Sequence, residues 1–208
     1  MKFLGFNNAF CLSPHPDDIE IALSGTILKY SETIFTVFCF SIGSKGDITS
    51  DITRHQEASK FWENIHNVKL HFSNVQFLSD KNEESWLNYI EKEFISNNIF
   101  DVLFIPSSED LHFEHRAVSN IGLPLFRIKK TAIISYFTPS TQNTWIPNIF
   151  VNIDEKINDK INRLENFSTQ SNKPYLNKKT IQAYHTDYNC VKRGIRFVEK
   201  LHLHASYF

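Results

Sequence analysis

Apolar, β-branched and aromatic runs alternate along this chain with stretches of helical length, and that alternation restricts the fold more than any other feature. The runs 8–13, 34–41, 68–72, 101–106 and 131–137 read as strands. Their near-continuous hydrophobicity, as in Ile34-Phe35-Thr36-Val37-Phe38-Cys39-Phe40, suits burial on both faces of a parallel sheet. The stretches 19–31, 53–66, 84–97 and 112–121 read as helices between them, followed by helices over 154–168 and 178–201. Ser50 or Asp51 would cap the second helix, and Asp154 the fifth. The expected fold is α/β: a three-layer, Rossmann-like, mostly parallel sheet with helices on both faces. With 208 residues, 41% of them apolar, the chain can fill one core, so 1–208 is expected to be a single domain.

In such a sheet, ligands bind beyond the carboxyl ends of the strands. Three polar clusters occupy those places. Ser13-Pro14-His15-Pro16-Asp17-Asp18 follows the first strand, Gly43-Ser44-Lys45-Gly46-Asp47 the second, and Ser107 to His115 the fourth. The first compresses one imidazole and two carboxylates into four positions, a costly arrangement unless a cation or a reaction uses it. Its prolines fix φ on both sides of His15 and stiffen the turn. In Asp110-Leu111-His112-Phe113-Glu114-His115-Arg116, His112 and His115 share a face if a helix starts there, so one or both can point at His15 and Asp18. Two histidines and a carboxylate leave a fourth position open on zinc, as in catalytic sites. The polar stretch 138–150 after the last strand of the core is expected to be a substrate-facing loop.

The rest of the composition excludes more than it suggests. A net charge of -1 without a basic patch argues against a nucleic-acid partner. Three widely spaced cysteines, Cys11, Cys39 and Cys190, read as thiols of a reducing compartment and not as a disulfide frame. No stretch approaches a membrane span and the first ten residues lack an apolar leader, so a cytoplasmic protein is expected. An exposed aromatic loop would offer an interface for a homo-oligomer.

Pro14-His15-Pro16-Asp17-Asp18 with Gly25-Thr26, Arg54-x-x-Glu57-Ala58 and Asp110-x-His112-x-x-His115-Arg116 together resemble the PIG-L or LmbE-like family of zinc-dependent deacetylases. That family removes N-acetyl groups from amino sugars. The resemblance spans residues 8 to about 120, and weaker likeness continues through Gln182 to Asp187 and Arg193 to Glu199. It implies one zinc per chain, held by His15, Asp18 and His115. Asp17 would be the general base, and His112 a group that stabilises the oxyanion or acts as the acid, charged or hydrogen-bonded to Asp110. Arg54 would bind the substrate. Glu114, standing where the family has an aspartate, would orient a ligand, and Asp110 would be a second supporting carboxylate. The implied substrate is an N-acetylglucosamine-type sugar, free, nucleotide-linked or lipid-linked.

Competing readings are a two-metal phosphoesterase, prompted by the acidic rim and by Gly43 to Asp47, and an inactive carbohydrate-binding relative. Arg54 and Glu57 could also be a plain surface pair. Trp145, Tyr136 and Phe137 could wall a sugar site, while His185 is as readily a surface or core residue. His202-Leu203-His204 reads as an exposed strand end, not a metal site.

Overall fold

The apolar run that opens the chain becomes the middle of the sheet. In the computed structural model, residues 1–42, 48–75, 77–127 and 131–206 are described, and the Gly43 to Asp47 turn lies outside them. Strand β1 (Asn8–Ser13) leads into helix α1 (Asp18–Lys29), then β2 (Ile34–Cys39), α2 (Ile48–Phe61) and β3 (Val68–Phe72). Helix α3 (Glu83–Ile90) continues as a π-turn over Glu91–Ile95 before β4 (Val102–Pro106), α4 (Phe113–Gly122) and β5 (Ala132–Tyr136). The C-terminal part adds β6 (Ile149–Asn152), α5 (Ile157–Leu164), α6 (Lys178–Tyr184), α7 (Tyr188–Val191) and β7 (Val198–Ala205).

The strands form one seven-stranded sheet in the order β3-β2-β1-β4-β5-β7-β6. The first five are mutually parallel, and β7 runs antiparallel between β5 and β6. The expected α/β architecture is therefore the one observed. Side chains of successive residues point to opposite faces and seed two cores. Ala9, Cys11, Phe35, Val37 and Phe104 pack with Ile19, Leu23, Phe61 and Ile161 on one face. Phe10, Leu12, Phe38, Leu103 and Ile105 pack with Trp86, Ile90, Val118 and Ile121 on the other. Cys11 and Cys39 are buried free thiols, as expected of core residues. Among the described residues, no helix is long and apolar enough to cross a membrane.

The C-terminal third departs from expectation. The predicted helix over 178–201 breaks after α6, where the Asp187 carboxylate caps the short α7 by accepting from the Asn189 and Cys190 N–H groups. The chain then turns at Gly194, whose φ of +82° suits a residue without Cβ, and enters β7. A second strand, β6, occupies the end of the stretch expected to be loop. Asp154 does not cap α5. Its carboxylate instead accepts from the N–H groups of Arg196 and Phe197 and fixes the entry into β7. Helix α2 begins at Ile48, so Ser50 and Asp51 lie within it and not at its cap.

Strand β7 carries a buried charge to α1. Both Glu199 and Lys160 of α5 are fully buried, with Lys160 Nζ 2.6 Å from Glu199 Oε1. The same carboxylate accepts from the N–H groups of Gly25 and Thr26, each at 2.7 Å. This close approach is why position 25 is glycine: a Cβ there would lie 2.8 Å from Glu199 Oε1 and 2.8 Å from Ile153 Cγ2. Gly25→Ala should therefore destabilise the fold by about 1–3 kcal/mol, the usual cost of overpacking, despite alanine's better helix propensity. Chemical denaturation would measure it, and an unchanged midpoint would contradict the packing described.

Candidate active site

The order β2-β1-β4 places a topological switch point between β1 and β4, where neighbouring connections leave in opposite directions and open a crevice. The 14–18 turn leaves β1 and the 107–115 loop leaves β4, so two segments about a hundred residues apart converge there. A cavity of about 390 Å³ fills the crevice, within the range of small-ligand sites. His15, Asp17, Asp18, Arg54, His112, Glu114 and His115 all line it. Asp110 is fully buried behind them.

Asp18 is the hinge of the cluster. Its Oδ2 accepts the His15 N–H at 2.9 Å and lies 3.2 Å from His15 Nδ1 and 3.3 Å from His115 Nε2. One atom from each of His15, Asp18 and His115 falls within 4.8 Å of the others, so these buried residues could hold one metal ion. Each imidazole is fixed from its far side by a carboxylate. His15 Nε2 meets Glu114 Oε2 at 2.6 Å, and His115 Nδ1 meets Asp110 Oδ2 at 3.1 Å. Such backing carboxylates set ring orientation and tautomer and raise ligand basicity. They are themselves held. The Leu78 N–H donates to Glu114 Oε1 at 3.2 Å, and the Thr138 and Thr141 hydroxyls donate to Asp110 Oδ2. The donor set thus fits a small divalent cation with a position left open to the cavity.

The electrostatics agree with that chemistry. Burial alone would lower the histidines, but hydrogen bonds to Asp18 and Glu114 raise His15 to about 9. Asp18 and Asp110 likewise overcome burial and raise His115 to about 10. Asp18 is pulled well below the usual carboxylate range, its burial outweighed by His115. The cage is built for positive charge.

Asp17 points elsewhere. Its Oδ1 lies 3.3 Å from Arg54 Nη2 and its Oδ2 3.4 Å from the Tyr175 hydroxyl. Burial raises it to about 6, against the lowering effect of Arg54. Its backbone sits at φ 122°, ψ −25°, a strained conformation for a residue with a Cβ. Three contacts hold it. Glu20 Oε2 accepts the Asp17 N–H at 3.1 Å, Arg54 donates to the Pro16 carbonyl at 2.8 Å, and Trp62 Nε1 donates to Glu20 at 2.6 Å. Arg54 and Glu57 are both buried, so they are not a surface pair.

His112 differs from expectation. It is the N-cap of α4, and its Nδ1 accepts the Glu114 N–H at 3.3 Å. Asp110 Oδ1 bonds the His112 backbone N–H, not the ring. Burial and the neighbouring His115 lower the ring's pKa, against the expectation of a charged His112, and with Nδ1 accepting from Glu114 it is Nε2 that faces outward as the ring's donor.

The 138–150 loop contributes Pro139 and Ser140 to the cavity. The expected aromatic wall is absent from it. Tyr136 is a core residue whose hydroxyl donates to the Leu12 carbonyl, and Phe137 stacks between Trp145 and Tyr184. His185 is a buried core histidine 3.1 Å from the Val198 carbonyl. Sequence reading missed Gln170, Lys173 and Tyr175, which complete the cavity wall. Their segment has no periodicity and no motif to mark it.

Among the described residues a second cluster, His15, His112 and Glu114, also has metal-ligand spacing. It shares only His15 with the first, with no carboxylate common to both. A two-metal phosphoesterase centre would use such a bridge.

A family model described as PIG-L, GlcNAc-PI de-N-acetylase, matches residues 10–126. The diacetylchitobiose deacetylase of Thermococcus kodakarensis is 25% identical over 243 residues, covering 99% of this chain and 88% of that protein. The N,N'-diacetylchitobiose deacetylase of Pyrococcus horikoshii, solved with an inhibitor, superposes with a TM-score of 0.76 at 17% identity, over 97% of this chain and 85% of that one. A 4-carboxy-2-hydroxymuconate hydratase from Pseudomonas putida superposes with a TM-score of 0.73 at 15% identity, over 97% and 98% of the two chains. The fold thus serves more than one reaction, and the choice rests on the site.

Proposed function

The chain belongs to the PIG-L family of GlcNAc-PI de-N-acetylases, and on that premise we propose that it is a zinc-dependent hydrolase of N-acetylated amino sugars. The reaction releases acetate and leaves a free amine. The observation that carries this reading is the division of labour between adjacent carboxylates: Asp18 faces two histidines, while Asp17 faces Arg54 and Tyr175.

His15, Asp18 and His115 would hold one Zn²⁺ per chain, which lowers the pKa of a water and polarises the acetyl carbonyl. Asp17 removes the proton of the attacking water as the C–O bond forms. It delivers that proton to the amide nitrogen as the C–N bond breaks, so that a neutral amine leaves. Arg54 steers the Asp17 carboxylate and keeps it ionised between turnovers. His112, with Nε2 as the ring's donor, donates to the carbonyl oxygen as negative charge develops there. An N-acetyl sugar is also what the two archaeal relatives are named for.

The test is acetate release from a panel of N-acetyl sugars and their nucleotide and lipid conjugates, with metal analysis of the same sample. Acetate from at least one sugar at one zinc per chain is the expected result. Two metals per chain with phosphate release from phosphomonoesters, or no acetate from any sugar, would overturn the reading.

A further inference from the structure

Residues 168–176 form a strap with little regular structure of its own, two single 3-10 turns at Ser168–Gln170 and Pro174–Leu176. It places Gln170, Lys173 and Tyr175 on the cavity wall. A segment held only by such turns needs an external anchor to keep a side chain in register. Glu57 supplies it at the start of the strap, while Tyr175 and Leu176 pack against the core at its end. Glu57 Oε1 accepts the Ser168 hydroxyl and the Thr169 N–H, each at 2.8 Å, and its Oε2 accepts the Thr169 hydroxyl at 2.7 Å. Phe167, buried against Phe61 of α2, seats the start of the strap.

Glu57 lies one turn beyond Arg54 on α2, so the two share a helix face. The helix therefore carries both groups that approach Asp17: Arg54 directly at Oδ1, and Tyr175, through the clipped strap, at Oδ2. Asp17 is thus held between a guanidinium at one carboxylate oxygen and a phenol hydroxyl at the other.

We propose that Tyr175 is a positioning residue for Asp17 in the hydrolysis inferred above, and that Glu57 holds the strap that presents it. While Asp17 is ionised, the Tyr175 O–H donates to Oδ2. Once Asp17 has taken the water's proton, the hydroxyl still donates to the carboxyl group, so the Asp17 O–H stays free to point at the amide nitrogen it must protonate. No proton moves through Tyr175, and the carboxyl group keeps its orientation in both protonation states.

The proposal rests on the deacetylase reading, and a double-mutant cycle on the zinc-loaded protein separates the two. Tyr175→Phe should lower kcat for acetate release about tenfold or more, the loss expected for a hydrogen bond to a charged group, with KM and zinc content nearly unchanged. Glu57→Ala should lower kcat comparably, and the double variant should be no more than about twofold below Tyr175→Phe alone, because both act through one contact. If Glu57→Ala fails to fold, Thr169→Val, which removes one of the three clip bonds, takes its place in the cycle and should couple in the same way. Wild-type kcat in Tyr175→Phe, or losses that multiply in the double variant, would overturn the proposal while the function stands. A wild-type protein that releases no acetate from any sugar would remove both.

Discussion

Asp17→Asn is expected to lower kcat for acetate release by about 10³-fold, with one metal ion still bound per chain and the fold intact. A positioned acid–base group contributes roughly 10²–10⁴ in rate, and this carboxylate would both take and return the proton. The expected loss corresponds to about 4 kcal/mol of transition-state stabilisation. Metal retention follows from geometry. Asp17 hydrogen-bonds with Arg54, Tyr175 and Glu20, whereas the two imidazoles meet Asp18. Asparagine is nearly isosteric and, like aspartate, tolerates positive φ better than most residues, so the strained turn should survive. Its amide oxygen can still accept from Arg54, but it cannot carry the proton. Turnover, elemental analysis and thermal unfolding of one preparation decide the matter. Near-wild-type turnover would refute the role given to Asp17, and loss of metal in step with activity would move Asp17 into the ligand set.

What could be read from the sequence divides along the distance over which a feature is determined. Strands β1, β2, β4 and β5 are near-continuous apolar runs, β3 alternates apolar and polar residues, and their positions follow from local pattern, with β1 and β3 matching at both ends. Strand β7 is different. Val198-Glu199-Lys200-Leu201-His202 reads as the end of an amphipathic helix, and it becomes a strand because β5 and β6 supply partners on both sides. Glu199 is tolerated at the centre of the core because Lys160, 39 positions earlier in the chain, and the N–H groups of Gly25 and Thr26 meet its carboxylate. The same divide runs through the cavity. His15 to Asp18 and Asp110 to His115 are dense local clusters whose spacing announces chemistry. The strap is invisible by comparison, since Glu57 holds it across 111 positions and nothing local marks Tyr175. The charge of His112 was likewise beyond reach, because it depends on which partner the ring finds once α4 is capped.

His115→Ala should abolish activity and metal retention together, leaving turnover at least about 10³-fold down and metal below stoichiometry after dialysis. Removing one of the three proposed ligands would cost the whole coordination set, and an alanine also leaves Asp110 buried without its imidazole. The contrast with Asp17→Asn, inactive but metal-replete, is the signature that distinguishes a ligand from a base. Protons give the contrast an independent readout. In the metal-free protein the carboxylates around His15 and His115 hold both rings protonated up to about 9 and about 10. Ligation requires the neutral imidazole, so metal uptake at pH 7 must expel protons that these groups still bind. The sign follows directly: a raised histidine pKa means proton competition persists up to that pKa, so apparent metal affinity should climb with pH from 6 towards 9. Titration calorimetry in buffers of different ionisation enthalpy would count the protons released. In His115→Ala that count should fall along with affinity, because one of the two competing imidazoles is gone. Proton release unchanged by the substitution, or metal affinity flat across that pH range, would place the metal away from His115 and undo the assignment of the centre.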